Sequence, residues 1–521
     1  MFKNYFKIAF RNLLKHKYYS IINILGLSAG MACFIIIFLY ARYQVGYDNF
    51  HENKDRIYKL NRLFLDEDGH VNFKTSGVAP QIGPLLQQDF PNILQTGRMF
   101  YSSQLLSYKN KYFKENRFCY ADPEILNIFS FQVINGNLAT ALSEPNYVIL
   151  TEEMANKYFR DENPINKIIQ FQSFDQKGEL IVKGVIKNIP SNSRIRFDFL
   201  CSFKTYEYLA GQKTLNNWSF NNYNTYVLLP PNYRVNDFIS KLDPFVEKHI
   251  GKDSTKWTKL IALKFIDIHK SEMRGYIYIL LAIAGFVLLL SCINFINLST
   301  AQTMTRLKEV GVRKVVGAAR AQLFKQFIIE SMLIAFCAFL ISLILVEYIL
   351  PEFNQLFYSN VSINFIEDYQ LIFYLLGILM LTGFISGCYP ALYISSFHPV
   401  KILKTHFVNS HKKSKLRKVL VILQFTISIY LIINIITISK QMDYVQRANL
   451  SFKQDHIVFL PMTDYIRNHP DIVKQELLQQ INIENVTLSS RVPPGRLNDN
   501  MGAHVFKENS FVDLNFRIPY L

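Results

Sequence analysis

Residues 305–326 read TRLKEVGVRKVVGAARAQLFKQ and separate two apolar runs of membrane-spanning length. The first run, 276–298, holds no Asp, Glu, Lys or Arg over 23 residues, enough for an α-helix to cross a hydrocarbon core about 30 Å thick. The second run, 327–350, carries Glu330 and Glu347 near its ends. The segment between the runs holds six bases and one acid, and such an excess in a short loop marks the cytoplasmic side. The sequence therefore predicts a membrane hairpin with a cytoplasmic connection.

This connection, residues 301–326, is called the elbow. Its pattern predicts a helix from Arg306 to Val316, a break at Gly317 and a new helix from Ala319. A loop that only joined two spans needs neither this length nor this spacing. Glycines at 311 and 317 lack a side chain, so we expect another backbone to approach the elbow closely there.

The words EVGVRKVVGA (309–318) and QLFKQFIIES (322–331) resemble the signature of the FtsX-like, MacB-type permeases of ABC transporters. The resemblance implies that the elbow is the coupling helix gripped by a cytoplasmic ABC ATP-binding subunit. It also implies a homodimer or paired permease, with a periplasmic adaptor and an outer-membrane channel as further candidate partners beside membrane lipids. The coupling residues that it implies are Arg306, Glu309, Gly311, Arg313, Lys314 and Gly317.

A second segment, PALYISSFHPVKILK (390–404), resembles the second cytoplasmic segment of the same family. The resemblance implies a further contact with the ATP-binding subunit through Pro390, Pro399 and Lys401. Pro390 removes a helix hydrogen bond close to Gly383 and Gly387, so the sequence predicts a bend in this span.

Composition and charge place the chain among integral membrane proteins with large extramembrane parts. It has 521 residues, 50% of them hydrophobic, and a net charge of +17. Residues 1–20 hold five bases and no acid, the elbow holds six bases and one acid, and 395–418 hold seven bases and no acid. These three segments account for the whole net charge, so the charge is a topology signal and nucleic-acid binding is not expected.

The apolar runs predict an α-helical multi-pass protein with five spans and a cytoplasmic N-terminus. The predicted spans are 21–43, 276–300, 327–350, 371–394 and 419–438. Residues 1–20 alternate apolar and basic residues at helical spacing, as an amphipathic helix in the membrane interface does. Gly26 and Gly30 form a GxxxG spacing, for which close helix contact and a merely tolerated pair of glycines both remain open. A short external loop is predicted over 351–370 and a basic cytoplasmic linker over 395–418.

Residues 44–275 lie between two spans and contain no run of membrane length, which predicts a large α+β extracytoplasmic domain. Thr151 is the predicted N-cap of a helix through Phe159, with two glutamates in its first turn. The words FSFQVINGN (129–137), VILTEEMANKYF (148–159) and VKGVIKNIPSNSRIRFDFL (182–200) resemble the MacB-type periplasmic core domain. One departure is Asn166, where the family commonly has Gly.

Cys119 and Cys201 fall in this domain, outside the cytoplasm, so a disulfide between them is open. The other four cysteines fall in apolar runs, where they are expected to be inert.

Residues 439–521 look like the start of a second external domain, because KSKLRKV and the fifth span repeat the plan of the N-terminus. DIVKQELLQQI (471–481) is predicted to be an amphipathic helix, and later pieces are strand-like. The family's duplicated members would continue further, so we expect a chain cut within a longer duplicated permease.

The sequence predicts no catalytic, cofactor-binding or metal-binding residues. It contains no GxxxxGK[ST] phosphate loop, and its eleven histidines form neither an HExxH motif nor a His/Cys cluster. ATP hydrolysis is therefore expected in a separate subunit, and this chain is not expected to be an enzyme.

The resemblance implies a permease subunit that relays ATP-driven motion to its external domain, for export or extraction of peptides, lipoproteins, toxins or antibiotics at the bacterial inner membrane. The alternative is a non-transporting signal relay that gates an external cell-wall hydrolase or serves a peptide-sensing kinase. An external domain of about 230 residues favours the MacB-type arrangement. Neighbouring genes for an outer-membrane channel, a hydrolase or a two-component system would separate these readings.

Overall fold

The computed structural model describes residues 2–173, 176–317, 319–365, 368–395, 415–447, 457–460, 466, 469–488, 503–507 and 510–514. The chain divides into two compact units, 1–439 and 440–521. The described helices are α1 (Phe2–Lys15), α2 (Lys17–Val45), α3 (Ile82–Asp89), α4 (Ile125–Ile128), α5 (Glu152–Phe159), α6 (Phe203–Leu215), α7 (Val235–Ile239), α8 (Leu242–Ile250), α9 (Phe265–Val315), α10 (Arg320–Phe357), α11 (Tyr369–Ser395), α12 (Lys415–Arg447) and α13 (Pro470–Leu478).

The described strands are β1 (Ile57–Leu65), β2 (Val71–Lys74), β3 (Gln95–Tyr108), β4 (Lys111–Ala121), β5 (Val133–Gly136), β6 (Tyr147–Thr151), β7 (Ile168–Ser173), β8 (Gln176–Ile186), β9 (Phe199–Ser202), β10 (Asn224–Leu228), β11 (Thr258–Lys264), β12 (Ala503–Lys507) and β13 (Ser510–Leu514).

Among the described residues, five helices are long and apolar enough to cross a membrane: α2, α9, α10, α11 and α12. The first four pack together around one apolar core, here called the bundle. Gly30 of α2 is needed for this packing, because a Cβ there would lie 2.7 Å from Ser291 Cβ of α9. A Cβ at Gly26 would meet Asn294 at an ordinary 3.6 Å. The close-contact reading of the GxxxG spacing is therefore right at Gly30.

The glycines of α11 also serve packing. A Cβ at Gly383 would lie 2.4 Å from Met332 Sδ, and one at Gly387 would lie 2.7 Å from Ser331 Cβ. Both partners belong to α10. The helix continues through Pro390 to Ser395. These glycines let α10 and α11 approach closely, which is a different role from the bend predicted from the sequence.

Residues 46–264 form the sheet domain, built on one mixed sheet. Its main path runs β11-β1-β10-β3-β4-β9-β6-β8-β5, while β2 pairs with β1 and β7 pairs with β3 and β8. The β4–β9 and β6–β8 pairs are parallel and the others antiparallel. The long β3–β4 hairpin turns at Lys109 and Asn110, both with positive φ, as a two-residue turn that matches strand twist requires.

The sheet is covered on both faces. One face carries an apolar cluster closed by α4 and by Phe265 and Ile268 at the start of α9. The other face carries two clusters, which α3, α5, α6, α7 and α8 help to close. Cys119 faces the first side and Cys201 the second, because Cys119 pairs with Leu200 while Tyr120 pairs with Cys201. Both thiols are free, and this placement rules out the disulfide that the sequence left open.

Two boundaries differ from those predicted from composition. The helix that enters the second span begins at Phe265, directly after β11, and not at 276. The fifth span continues as α12 to Arg447, past the predicted end at 438. Apolar length locates the part of a helix that lipid covers, whereas the hydrogen-bond ladder of the helix extends further.

The second unit contains, among its described residues, the end of α12, the helix α13 and the hairpin β12–β13. The predicted helix over 471–481 corresponds to α13, and the strand-like pieces correspond to the hairpin. In the first unit, apolar side chains of α12 are exposed on all sides, and Asn297 Nδ2 contacts Gln424 Oε1 at 3.5 Å.

Candidate functional site

The elbow, residues 301–326, comprises the last turns of α9, the turn at Gly317 and the first turns of α10. Helix α9 ends at Val315, and Gly317 adopts a φ of +100°, which a residue with a side chain rarely does. Within the described part of the chain, no atom lies within 4 Å of the position that a Cβ on Gly317 would take. Gly317 is therefore required by the backbone conformation. The start of α10 is capped when Ala319 N donates to Gln322 Oε1 at 3.1 Å.

Two elbow bases hold the end of α11. Lys314 Nζ donates to the Ser395 carbonyl oxygen at 2.7 Å, and Arg320 Nε donates to Ser395 Oγ at 3.4 Å. Cations at a helix C-terminus satisfy its unpaired carbonyls and oppose the negative end of its dipole. Burial, followed by the nearby charge of Arg320, lowers the pKa of Lys314. The two segments predicted to contact the ATP-binding subunit are thus joined.

An apolar seam lies beneath these polar contacts. Its buried members are Val310, Leu323, Phe327 and Ala391. Arg313 Nη1 donates to Gln326 Oε1 at 3.1 Å and ties the last turn of α9 to the first turns of α10. These contacts pack the elbow against α10 and α11 as one corner.

Three valines are exposed on the described part of the elbow. Val312, Val315 and Val316 are 56%, 62% and 82% exposed, in contrast to the buried Val310. Because positions 312, 315 and 316 lie three and four residues apart, these exposed side chains fall on one side of the helix end and make a candidate protein contact. Sequence reasoning missed this patch because it weighed the charges of the elbow above its valines.

The predicted coupling residues have different surroundings. Gly311 is buried, Arg313 and Lys314 are half-buried and bonded within the chain, and Gly317 is exposed. The backbone of α9 passes through Arg306 and Glu309, but their side chains lie outside the described part of the structure. Of the second predicted contact, Pro390 lies within α11, whereas Pro399 and Lys401 lie outside the described residues.

A buried acid lies next to the elbow. Glu330 of α10 is 7% exposed and lines a small cavity of about 10 Å³, roughly the space of one water molecule. Asn12 Nδ2 of α1 lies 3.4 Å from Glu330 Oε2. The cavity wall also includes Ser299, Gln302 and Pro390. An ionisable group inside a membrane bundle is a functional candidate by default. The sequence feature that could have identified Glu330 as one is its charge within an apolar run.

The neck lies at the opposite end of α9. It comprises residues 44–49, 190–197 and 265–272. The ring of His269 stacks on Tyr47 with centroids 3.7 Å apart, and His269 Nε2 is 2.6 Å from Gln44 Oε1. The start of α9 is thereby fixed to the end of α2.

The loop 190–197 binds the turn that follows α2 and the start of α9. Asp48 Oδ1 accepts from Ser193 Oγ at 2.7 Å and from Arg194 N at 3.0 Å. Arg194 Nη1 pairs with Glu272 of α9 at 2.6 Å. Burial raises the pKa of Asp48, and the hydrogen bonds from Ser193 and Arg194 oppose that rise. This loop is part of the word VKGVIKNIPSNSRIRFDFL, but its contacts join segments far apart in sequence and were not predicted.

Two family models match this chain. The MacB-like periplasmic core domain matches residues 20–245, and the FtsX-like permease C-terminal domain matches residues 281–399. The second match covers the elbow and its seam. The chain belongs to the family of FtsX-like permeases with a MacB-like core domain. Its fold class is accordingly a multi-pass α-helical membrane protein with a large α+β domain.

Curated relatives of this permease include the macrolide export ATP-binding/permease protein MacB of Bdellovibrio bacteriovorus. It is 28% identical over 133 residues, which are 24% of this chain and 19% of the relative. MacB of Campylobacter jejuni is 28% identical over 123 residues, 23% of this chain and 18% of the relative. The permease thus aligns with about a fifth of the length of each.

Similar solved structures include a permease domain from Porphyromonas gingivalis. It is 21% identical and has a TM-score of 0.36, covering 41% of this chain and 92% of that domain. The periplasmic region of MacB from Actinobacillus actinomycetemcomitans is 14% identical with a TM-score of 0.29, covering 42% of this chain and 92% of that region.

Proposed function

We propose that this permease is the membrane subunit of an ABC transporter and relays motion from a partner ATPase to its sheet domain. The observation that carries the proposal is α9, a single helix of 51 residues from Phe265 to Val315. One of its ends lies in the neck and the other in the elbow. At 1.5 Å per residue the helix is roughly 75 Å long.

A continuous helix transmits displacement better than two helices joined by a loop, because each turn is hydrogen-bonded to the next. At the neck, the Tyr47–His269 stack and the Arg194–Glu272 pair attach the helix to the sheet domain. At the elbow, Lys314 attaches it to Ser395 of α11, which Arg320 at the start of α10 also binds. A shift imposed on the elbow is therefore delivered to the sheet domain.

The partner is a cytoplasmic ABC ATP-binding subunit, which docks on Val312, Val315 and Val316 and hydrolyses the ATP. The N-terminus, elbow and 395–418 are cytoplasmic, and the sheet domain and 439–521 lie outside the bacterial inner membrane. The positive-inside distribution of the bases supports this orientation. Export or extraction of peptides, lipoproteins, toxins or antibiotics is the work proposed. A second permease copy, an adaptor and an outer-membrane channel complete the proposed assembly.

Docking is tested with Val315→Asp and Val316→Asp. Both side chains are exposed, so the substitutions leave folding intact, but they place a charge in an apolar contact, where an unpaired charge is costly. We expect loss of ATPase co-purification and of stimulated ATP turnover in nanodiscs. Val71→Asp is the matched control, since Val71 is also an exposed valine, 57% exposed, but lies in the sheet domain.

Glu309→Lys extends the same test. Glu309 is the lone acid among six elbow bases, and reversing its charge should weaken a contact with the ATPase, whereas Lys308→Ala should be mild. If the valine variants and Glu309→Lys all retain partner binding and turnover, the elbow is only a topogenic loop and the proposal fails.

A further inference from the structure

Helix α1 presents two exposed rows of side chains that the proposed relay does not use. One row is apolar, with Phe6, Phe10 and Leu14 exposed by 55%, 54% and 55%. The other row is basic and consists of the exposed Lys7, Arg11 and Lys15. Residues four positions apart lie on one face of a helix, so each row forms a continuous ridge.

A third face of α1 is already occupied. Ala9 is fully buried, α1 packs against α10, and Asn12 Nδ2 lies 3.4 Å from Glu330 Oε2. Successive helix residues are separated by about 100° around the axis, so Phe10 lies about 100° and Arg11 about 200° from Ala9. The basic row therefore faces away from the bundle, and the apolar row lies to one side of it.

The position of α1 identifies what covers these rows. The helix ends at Lys15, and the first span begins at Lys17, so α1 is attached to the end of a membrane-spanning helix. An apolar ridge at that level enters the boundary of the acyl chains, and neighbouring basic side chains extend to the headgroups. The helix carries no acid, and none of its three exposed bases pairs with a carboxylate in the described part of the chain.

We propose that α1 is a binding surface for anionic phospholipid headgroups, with Lys7, Arg11 and Lys15 as the residues that select the charge. Each base near an anionic lipid surface favours binding about fivefold. Removal of all three should therefore lower the preference for anionic over zwitterionic lipid by up to roughly 100-fold at low salt. The contact of Asn12 with Glu330 places this surface beside the cavity next to the elbow.

The test uses the full chain in lipid nanodiscs with a Phe10→Trp reporter. Its fluorescence is quenched by brominated phosphatidylglycerol or by brominated phosphatidylcholine at equal mole fraction. We expect stronger quenching by phosphatidylglycerol, a preference that weakens at high salt because exposed charges are screened. The variant Lys7→Gln/Arg11→Gln/Lys15→Gln should still be quenched, but equally by both lipids.

Lys111→Gln/Lys114→Gln/Lys177→Gln is the matched control, since it removes three exposed charges from the sheet domain. It should keep the preference for phosphatidylglycerol. Equal quenching of the unmodified helix by both lipids would overturn the proposal, as would a preference that survives the loss of Lys7, Arg11 and Lys15. Absence of quenching by either lipid would show that something other than lipid covers α1, and would overturn it as well.

Discussion

His51 shows how one residue of the sheet domain sets a dependence on pH. It is 2% exposed, and its ring is surrounded by Phe50, Phe129 and Phe265. Ser130 N donates to His51 Nδ1 at 3.2 Å, which requires that nitrogen to be unprotonated. Burial lowers the pKa of His51 to about 4, so the ring is neutral in the folded protein at neutral pH.

Stability should consequently fall in acid. Between pH 6.5 and about 4 the unfolded chain binds a proton at His51 and the folded chain does not, which costs roughly 3 kcal/mol of folding free energy across that window. His51→Asn keeps an acceptor for Ser130 without a titrating group and should flatten this part of the profile. Melting followed by the two tryptophans of the chain, both in the sheet domain, measures the difference. Parallel pH profiles of the two proteins would refute the assignment.

Asn166 and Thr151 show how much could be predicted from the sequence at single positions. Where the family commonly has Gly, Asn166 adopts a φ of +63°, a conformation that Asn tolerates. Its Oδ1 also accepts a hydrogen bond from Lys183 Nζ at 2.8 Å. Thr151 lies at the predicted N-cap of α5, but its side chain makes no cap bond. Instead, Glu153 N donates to Asn188 Oδ1 at 3.0 Å. The local sequence pattern identifies where α5 starts. The hydrogen-bond acceptor for the free amide of Glu153 in its first turn is supplied by Asn188, which only the tertiary fold brings there.

At the scale of elements, α9 departs most from expectation. Composition predicted a span that ends near residue 300 and a separate elbow helix over 306–316, whereas one helix runs from the neck through Val315. Nothing between the two predicted pieces breaks a helix, since residues 299–305 read STAQTMT without Gly or Pro. The predicted break at Gly317 is confirmed by its positive φ. Hydropathy therefore locates the part of a helix that lies in the lipid, but it does not show how far the helix continues beyond the membrane.

The contact between α2 and α9 gives a prediction for a pair of elements. Gly30→Ala should lower the stability of the bundle, because its Cβ would lie 2.7 Å from Ser291 Cβ and force the helices apart. Overpacking of this kind costs about 1–3 kcal/mol. Gly26→Ala is the control, because its Cβ meets an ordinary contact of 3.6 Å. Thermal unfolding in detergent should separate the variants, and equal melting temperatures would contradict the packing described.

For the whole molecule, topology follows from the three basic segments. We expect a single cysteine at position 320 to be protected from an impermeant reagent in intact spheroplasts, and one at position 216, which is exposed in the sheet domain, to react. The background chain should have its six native cysteines replaced. Reaction at 320 with protection at 216 would invert the proposed orientation.

The fold class of the whole molecule could be predicted from the sequence, whereas the contacts that form the neck could not. Five apolar runs and the resembling words predicted a five-span protein with an α+β domain, and the family matches confirm that class. The neck depends on pairs such as Arg194 with Glu272, which are brought together only when the sheet is formed. Sequence periodicity shows which face of a helix or strand is apolar. It does not show which distant elements will be in contact, because that depends on the tertiary fold.

If α9 carries motion from the elbow to the sheet domain, a break in that helix should stop the motion from reaching the neck. Three glycines inserted after Gly275, between the neck and the span, should uncouple the ends, since glycine is a poor helix former. The same insertion after Gly69, in the exposed turn between β1 and β2, is the control. Hydrogen exchange is measured for each permease with its co-purified ATPase in nanodiscs, with and without ATP.

We expect ATP to change hydrogen exchange in both the elbow and the neck of the unmodified permease and of the control. With the insertion after Gly275, the change at the elbow should persist while the change at the neck and in the sheet domain disappears. An unaltered response of the sheet domain in that variant, or no response to ATP in the unmodified permease, would contradict the relay.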